Sequence, residues 1–285
     1  MERYINSFAT ENDIQIALQN GELLKPYVAY IEDEKRIDWN SKTKIVDYTT
    51  EYLTFNITSN GNINVPTGIT YSINGAEWEN TGTTITVNSG ETIRFKGNNS
   101  TYNKNTFSSS TAGFEVEGNI MSLIYGDDFK NNSTISSIYT FASLFRDCTN
   151  LVSAENLILP ATTLAYDCYY GMFQGCKSLT QAPVLPANSL ARDCYRYMFA
   201  GCTSLTKAPE LPATILETGC YSYMFQDCSN LNYIKCLATD ISATNCTQGW
   251  VDGVAETGTF VKSLNMSGWT TDKDGIPRRW AVIHA

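Results

Sequence analysis

The sequence predicts a mainly β protein: a small antiparallel β-sandwich followed by a solenoid of stacked repeats, with a short α/β amino-terminal segment. Three observations predict it. Between residues 144 and 251 one phrase recurs: Pro160, Pro186 and Pro212 step by 26, and Cys168, Cys194, Cys220 and Cys246 keep the same step. A fixed period of this size belongs to stacked units rather than to one closed globule. Ahead of it, Leu53, Phe55 and Ile57 alternate with polar residues, as do Ile69, Tyr71 and Ile73, the two-residue rhythm of half-buried strands. Before both, the chain carries one short helical stripe and one strand-like run.

Residues 1–46 form the amino-terminal segment. Thr10 suits a helix cap with Asp13 three positions on, Ile14, Ala17 and Leu18 give one apolar stripe, and Gly21 suits the carboxyl end. Pro26 stops the helix, Tyr27–Ile31 reads as a strand, and Glu32–Arg36 is a charged turn before Ile37-Asp38-Trp39. Chains below about 40 residues seldom build a core alone. The stripe Ile14, Ala17 and Leu18 is therefore a candidate docking surface, either for the next domain or for a partner.

Residues 47–130 read as the sandwich. Ile85 and Val87, then Ile93 and Phe95, continue the alternation; Asn74-Gly75 is a favoured two-residue hairpin turn and Ser89-Gly90 a second turn signal. Asn98–Thr111, rich in Ser and Asn, reads as an exposed spacer. Phe114–Tyr125 is a further strand leading into the solenoid and shielding its open first edge.

Residues 131–256 hold the repeats. Leu151, Ala154 and Leu157 recur as Leu179, Ala182 and Leu185, as Leu205, Ala208 and Leu211, and as Leu231, Ile234 and Leu237. Apolar residues at i, i+3 and i+6 resemble the strand-plus-bend of a leucine-rich repeat. The rest of each unit, Cys-Tyr-x-Tyr-Met-Phe-x-x-Cys in its clearest form, is expected to return as a helical or 3₁₀ turn. Met172/Phe173, Met198/Phe199 and Met224/Phe225 would then fill the space between layers, and Tyr169, Tyr195 and Tyr221 would pack there too. The order L-P-x-x-x-L…C-Y-x-x-M-F-x-x-C-x-x-L resembles the BspA-type leucine-rich repeats of Bacteroidetes surface proteins, with Met in place of that family's Ala and a longer period. Residues 257–285, where the period fails, read as a carboxyl-terminal cap closed by Trp269 and Trp280.

Composition excludes several classes. A net charge of −9 over 285 residues, with no basic stripe, argues against nucleic acid. No apolar run approaches the ~18 residues of a membrane helix. The opening stretch lacks the charged start and apolar core of a secretory signal. His284 is the single histidine, so there is no Ser/His/Asp set, and no phosphate loop or dinucleotide fingerprint occurs. The expectation is a protein that is not an enzyme and carries no cofactor.

The nine cysteines admit three readings. A disulfide ladder needs an oxidising compartment and leaves one thiol over; a metal site wants shorter spacings and histidine. The third, cysteine as a small apolar core residue stacked in columns, is the one adopted, with no metal site.

The resemblance extends along the chain. Gly-Glu-Leu…Lys-Pro-Tyr-Val-Ala-Tyr, the run Phe-Glu-Val-Glu-Gly-Asn-x-Met-Ser-Leu, the repeats and the Gly-Ile-Pro-x-x-Trp tail together resemble modular proteins of gut Bacteroidetes and their phages, the crAss-like phages included. That resemblance implies a virion structural protein, a head or tail fibre or decoration component, with an Ig-like and a leucine-rich-repeat module. It would join other virion proteins through its amino-terminal segment and turn the repeats towards a host-surface glycan or protein. A bacterial cell-surface adhesin is the alternative, and self-association stays open. If the array binds a ligand, the sheet side is the expected surface, because there the same positions line up from repeat to repeat. One outward column is Ser153, Gln181, Lys207 and Tyr233; a second is Glu155, Pro183, Pro209 and Lys235. Their variation equally fits a face that does nothing.

Overall fold

The computed structural model describes residues 28–31, 35–38, 48–80, 84–102, 107–266 and 268–285. The candidate docking residues Ile14, Ala17 and Leu18 lie outside these. The fold is mainly β, with several sheets. It divides into two compact units, Met1–Glu51 and Tyr52–Ala285. The boundaries expected near 130 and 256 therefore fall inside one unit.

In the first unit, β1 (Val28–Ile31) pairs antiparallel with β2 (Lys35–Asp38). Val28 faces Asp38 and Ile31 faces Lys35 in register.

The second unit opens with β3 (Leu53–Ser59), β4 (Gly61–Asn64), β5 (Ile69–Ile73), β6 (Glu79–Asn80), β7 (Thr84–Val87), β8 (Thr92–Gly97) and β9 (Gly113–Asn119). β9, β3, β8, β5 and β6 lie side by side as antiparallel neighbours, and β4 with β7 forms a separate pair. Period-two alternation decides the facing: Leu53, Phe55 and Ile57 are buried, as are Ile93 and Phe95. Asn74 and Gly75 both have positive φ, 51° and 78°, as a tight hairpin turn of the primed type demands. Inside, Phe55 stacks on Phe114 at 4.6 Å and lies 4.6 Å from Phe95 and 4.7 Å from Phe107.

Phe107 and Tyr102 correct the expectation for Asn98–Thr111. Both are fully buried. The backbone N–H of Tyr102 donates to Thr140 O (2.8 Å) and that of Phe107 to Leu144 O (2.9 Å), and Phe107 stacks on Phe145 at 5.6 Å. Two aromatics inside a polar run supply the first rung on which the repeats stack; local composition hid them. A short helix α1 (Ser122–Tyr125) and a 3₁₀ turn follow. β10 (Leu151–Ile158) then joins β9 in parallel, so the sheet continues into the repeats.

From Tyr139 the chain coils in layers. In one layer the N–H groups of Asp167, Tyr169, Gly171, Phe173 and Gly175 donate to Arg192, Cys194, Arg196, Met198 and Ala200 of the next. The residues between them, Cys168, Tyr170, Met172, Gln174 and Cys176, donate three positions back within their own layer. The return path is therefore not a helix, and it keeps the 3₁₀-type bond only at alternate residues. A helix would consume every N–H internally and leave none for the neighbouring layer. Left-handed residues every fourth position enforce the path: Asp167, Gly171 and Gly175 at φ 53°, 57° and 76°. Asp193, Tyr197 and Gly201 repeat them, then Gly219, Tyr223 and Asp227, then Asn245, Gly249 and Gly253. Tyr139, Ser143 and Asp147 form an earlier copy.

Cysteines, methionines and aromatics point inward. All nine cysteines are free and buried. The thiols of Cys176, Cys202 and Cys228 donate to the carbonyls of Phe145, Phe173 and Phe199 at 3.0, 3.1 and 3.0 Å. Two aromatic columns run through the layers. Phe141, Tyr169, Tyr195 and Tyr221 stack at 5.7–6.2 Å, and Phe145, Phe173, Phe199 and Phe225 at 5.3–5.9 Å. They converge on Trp250, which stacks on Trp269 at 5.4 Å. The stacking outlasts the sequence period. β11 (Tyr233–Cys236), β12 (Thr259–Lys262) and β13 (Ala281–His284) form a parallel sheet, Tyr233 facing Thr259 and Thr259 facing Ala281. In the last repeat the register shifts: Leu211 faces Cys236. Cys236 is buried there, where the sequence spacing pointed to Leu237.

Candidate functional site

The two faces of the repeat array differ in what they leave available. On the sheet side, the expected ligand face is occupied by its own cross-layer contacts. Ser153, in β10, is buried, and its hydroxyl lies 3.4 Å from Gln181 Oε1. Gln181 Nε2 donates to Glu155 at 3.0 Å. Lys207 Nζ sits 5.3 Å over the ring of Tyr233, and Lys235 pairs with Glu210 at 2.9 Å. Backbone bridges bring Ser153 beside Gln181 and Lys207 beside Tyr233. These are ladder contacts between neighbouring layers, each group meeting a partner within the chain.

The turn side carries a second set of residues. Tyr139, Tyr166, Tyr170, Tyr197 and Tyr223 are half-buried there, with Arg192 exposed and Arg196 half-buried among them. Tyr170 lies edge-on to Tyr197 at 5.7 Å, and Tyr197 stacks on Tyr223 at 4.8 Å with 8° between the planes. Arg196 Cζ lies 5.4 Å from the Tyr197 centroid and 5.9 Å from that of Tyr223; Arg192 Cζ lies 5.4 Å from Tyr166. Guanidinium groups over aromatic faces contribute about 0.5–1 kcal/mol each at exposed sites.

Two buried carboxylates hold this surface from beneath. Asp193 takes Arg192 Nε at 3.1 Å and Arg196 at 3.4 Å. Asp167 lies near enough to Tyr139 for the two groups to influence each other. Burial raises the Asp167 carboxyl above its ordinary range, against the pull of the Tyr139 and Tyr166 hydroxyls. The Tyr139 phenol is raised in turn, chiefly by its interaction with that carboxylate. No match to this chain is found among family models, curated proteins or solved structures. What the surface can do follows from its own chemistry.

That chemistry is hydrogen bonding and charge pairing. Phenol hydroxyls and guanidinium donors face outward, and the carboxylates that orient them lie inside. Burial drives the thiols the other way from reactive: those of Cys168, Cys228 and Cys236 are pushed up to about 12. They stay protonated, and a protonated thiol is a poor nucleophile. Among the described residues, no group of three His, Cys, Asp or Glu side chains is placed to hold a metal ion. No helix among them is long and apolar enough to cross a membrane.

The sequence reading missed the turn side. A signal was present: Cys-Tyr-x-Tyr puts Tyr195 and Tyr197, and Tyr221 and Tyr223, two apart. The first of each pair is buried and the second turns towards solvent.

Proposed function

We propose that the chain is a virion structural protein of the head- or tail-fibre or decoration type, displaying a leucine-rich-repeat solenoid of the BspA class for adhesion to a host-surface glycan. In this reading it is a display protein and not an enzyme. One observation carries it: the inward columns of Cys, Tyr, Met and Phe repeat from layer to layer, while the outward positions change residue type. A repeat scaffold whose core holds and whose face varies is built to present a surface. The module order and the resemblance to proteins of Bacteroidetes phages favour the virion over the bacterial surface. The segment 1–46, with Ile14, Ala17 and Leu18, would be the attachment element.

Mass spectrometry of purified virions tests the assignment, and absence of the chain from them overturns it in favour of the bacterial adhesin. Deleting residues 1–46, or replacing Ile14→Asp, should leave a folded Tyr52–Ala285 unit that no longer enters particles.

A further inference from the structure

Three tyrosines stand on backbone that tyrosine rarely adopts. In the left-handed positions of the coils, nearly every occupant is Gly, Asp, Asn or Ser, which tolerate positive φ. Tyr139, Tyr197 and Tyr223 are the departures, at φ 56°, 57° and 56°. Tyr197 and Tyr223 share a column with Gly171 and Gly249, which show what the position takes when only the fold is served. A side chain held against its backbone preference points to a role beyond folding.

The consequence is a row of polar ends. The rings of Tyr197 and Tyr223 lie face to face, so ring edges and hydroxyls point outward rather than an open ring face. Arg196 and Arg192 flank the row, both anchored on one buried acid, Asp193. Arg192 is exposed and Arg196 half-buried, and each keeps N–H groups beyond the one it spends on Asp193. Guanidinium donors pair best with carboxylate oxygens. Rings a single layer apart offer similar donors at successive steps, which suits a linear polymer lying along the array.

We infer that the turn side, through Tyr139, Tyr170, Tyr197, Tyr223, Arg192 and Arg196, binds an acidic, carboxylate-bearing polysaccharide. The site rests on the adhesion reading above but moves it from the sheet side to the turn side and names the ligand class. The net negative charge supplies an internal control. At physiological salt, fields fade beyond roughly 8 Å, so a polyanion is held only where cations and donors are placed to meet it.

Calorimetric titration of the full chain with polygalacturonate, with dextran as neutral polymer and duplex DNA as unrelated polyanion, tests this. Polygalacturonate should bind, and dextran and DNA should bind at least tenfold more weakly. Arg192→Ala combined with Arg196→Ala should cost at least tenfold in affinity. Tyr197→Gly with Tyr223→Gly, which places the residue found elsewhere in that column, should keep the fold by circular dichroism and lose binding to the same extent. The sheet-side pair Lys207→Ala with Tyr233→Ala should leave affinity unchanged. Equal binding of DNA or dextran, full affinity in the turn-side variants, or loss confined to the sheet-side pair overturns the inference. A chain found in virions that fails to bind sinks this site alone; one that binds but is absent from virions sinks the virion assignment alone.

Discussion

The thiol of Cys202 donates to the carbonyl of Phe173, one layer away, at 3.1 Å. The same bond joins Cys176 to Phe145 and Cys228 to Phe199, so cysteine in this column is a small core group with one weak donor to place. Serine keeps a donor but has a shorter reach and dislikes the apolar surround. Cys202→Ser should destabilise by about 1–3 kcal/mol, the cost of a poorly satisfied buried hydroxyl. Cys202→Ala should stay nearer 1 kcal/mol. Urea titration compares the two, and an indifferent serine would refute the apolar reading of the column. Native-state alkylation of all nine thiols should be slow, becoming rapid only on unfolding.

Trp250 closes both aromatic columns. It is fully buried, lies 6.3 Å from Tyr221 and 6.2 Å from Phe225, and donates through Nε1 to Gly275 O at 2.8 Å. Trp250→Ala should cost about 3–5 kcal/mol. Because each layer leans mainly on its neighbours, the loss should fall first on the layers beyond residue 230. Limited proteolysis should cut there while the part from Tyr52 to about residue 200 stays resistant; uniform cleavage along the chain would contradict this.

These two residues also mark what was legible. The cysteine column could be read because its spacing is strict and burial follows from composition. The earliest coil could not. Tyr139–Asp147 lies 28 residues before Asp167–Gly175, not 26, and carries Phe141 and Leu144 where later copies have Tyr and Met. At the other end, β12 and β13 pair through backbone bonds that need no particular side chain, so stacking continues after the sequence signal fades. The left-handed steps fall mostly on Asp, Gly and Asn every fourth residue, yet a four-residue rhythm also suits the helical or 3₁₀ turn expected there, of which only the alternate 3₁₀-type bonds are found. The outward tyrosines were masked by the buried ones beside them.

Asp167 gives the protein a pH dependence of definite sign. Burial raises its folded-state carboxyl above the ordinary 3.8, so the folded state holds this proton more tightly than the unfolded chain. Its contribution is fully present below the unfolded value and is lost as pH rises through the raised folded value. Asp167→Asn keeps the shape, suits positive φ and removes the charge. The variant should therefore be more stable than the parent at pH 7 and show a smaller advantage at pH 4. Urea midpoints at the two pH values decide it; an equal difference at both would mean the carboxyl is not shifted.

Gly249 and Gly171 occupy the same column at φ 61° and 57°, and they form a matched pair. An alanine methyl at Gly249 would fall 2.5 Å from Tyr223 Cε1, whereas at Gly171 its nearest neighbour is Gln174 Oε1 at 3.2 Å. Either alanine meets the left-handed penalty of roughly 1–2 kcal/mol, so that cost cancels when the two variants are compared. What remains is the ring. Gly249→Ala must move Tyr223 off its stack on Tyr197, while Gly171→Ala leaves the row in place. Both proteins should lose stability by similar amounts, with Gly249→Ala somewhat the worse. Only Gly249→Ala should weaken polygalacturonate binding, by severalfold, although neither substitution replaces an arginine or a tyrosine. Equal affinities in the two would show that the Tyr197–Tyr223 stack serves the fold and not the ligand.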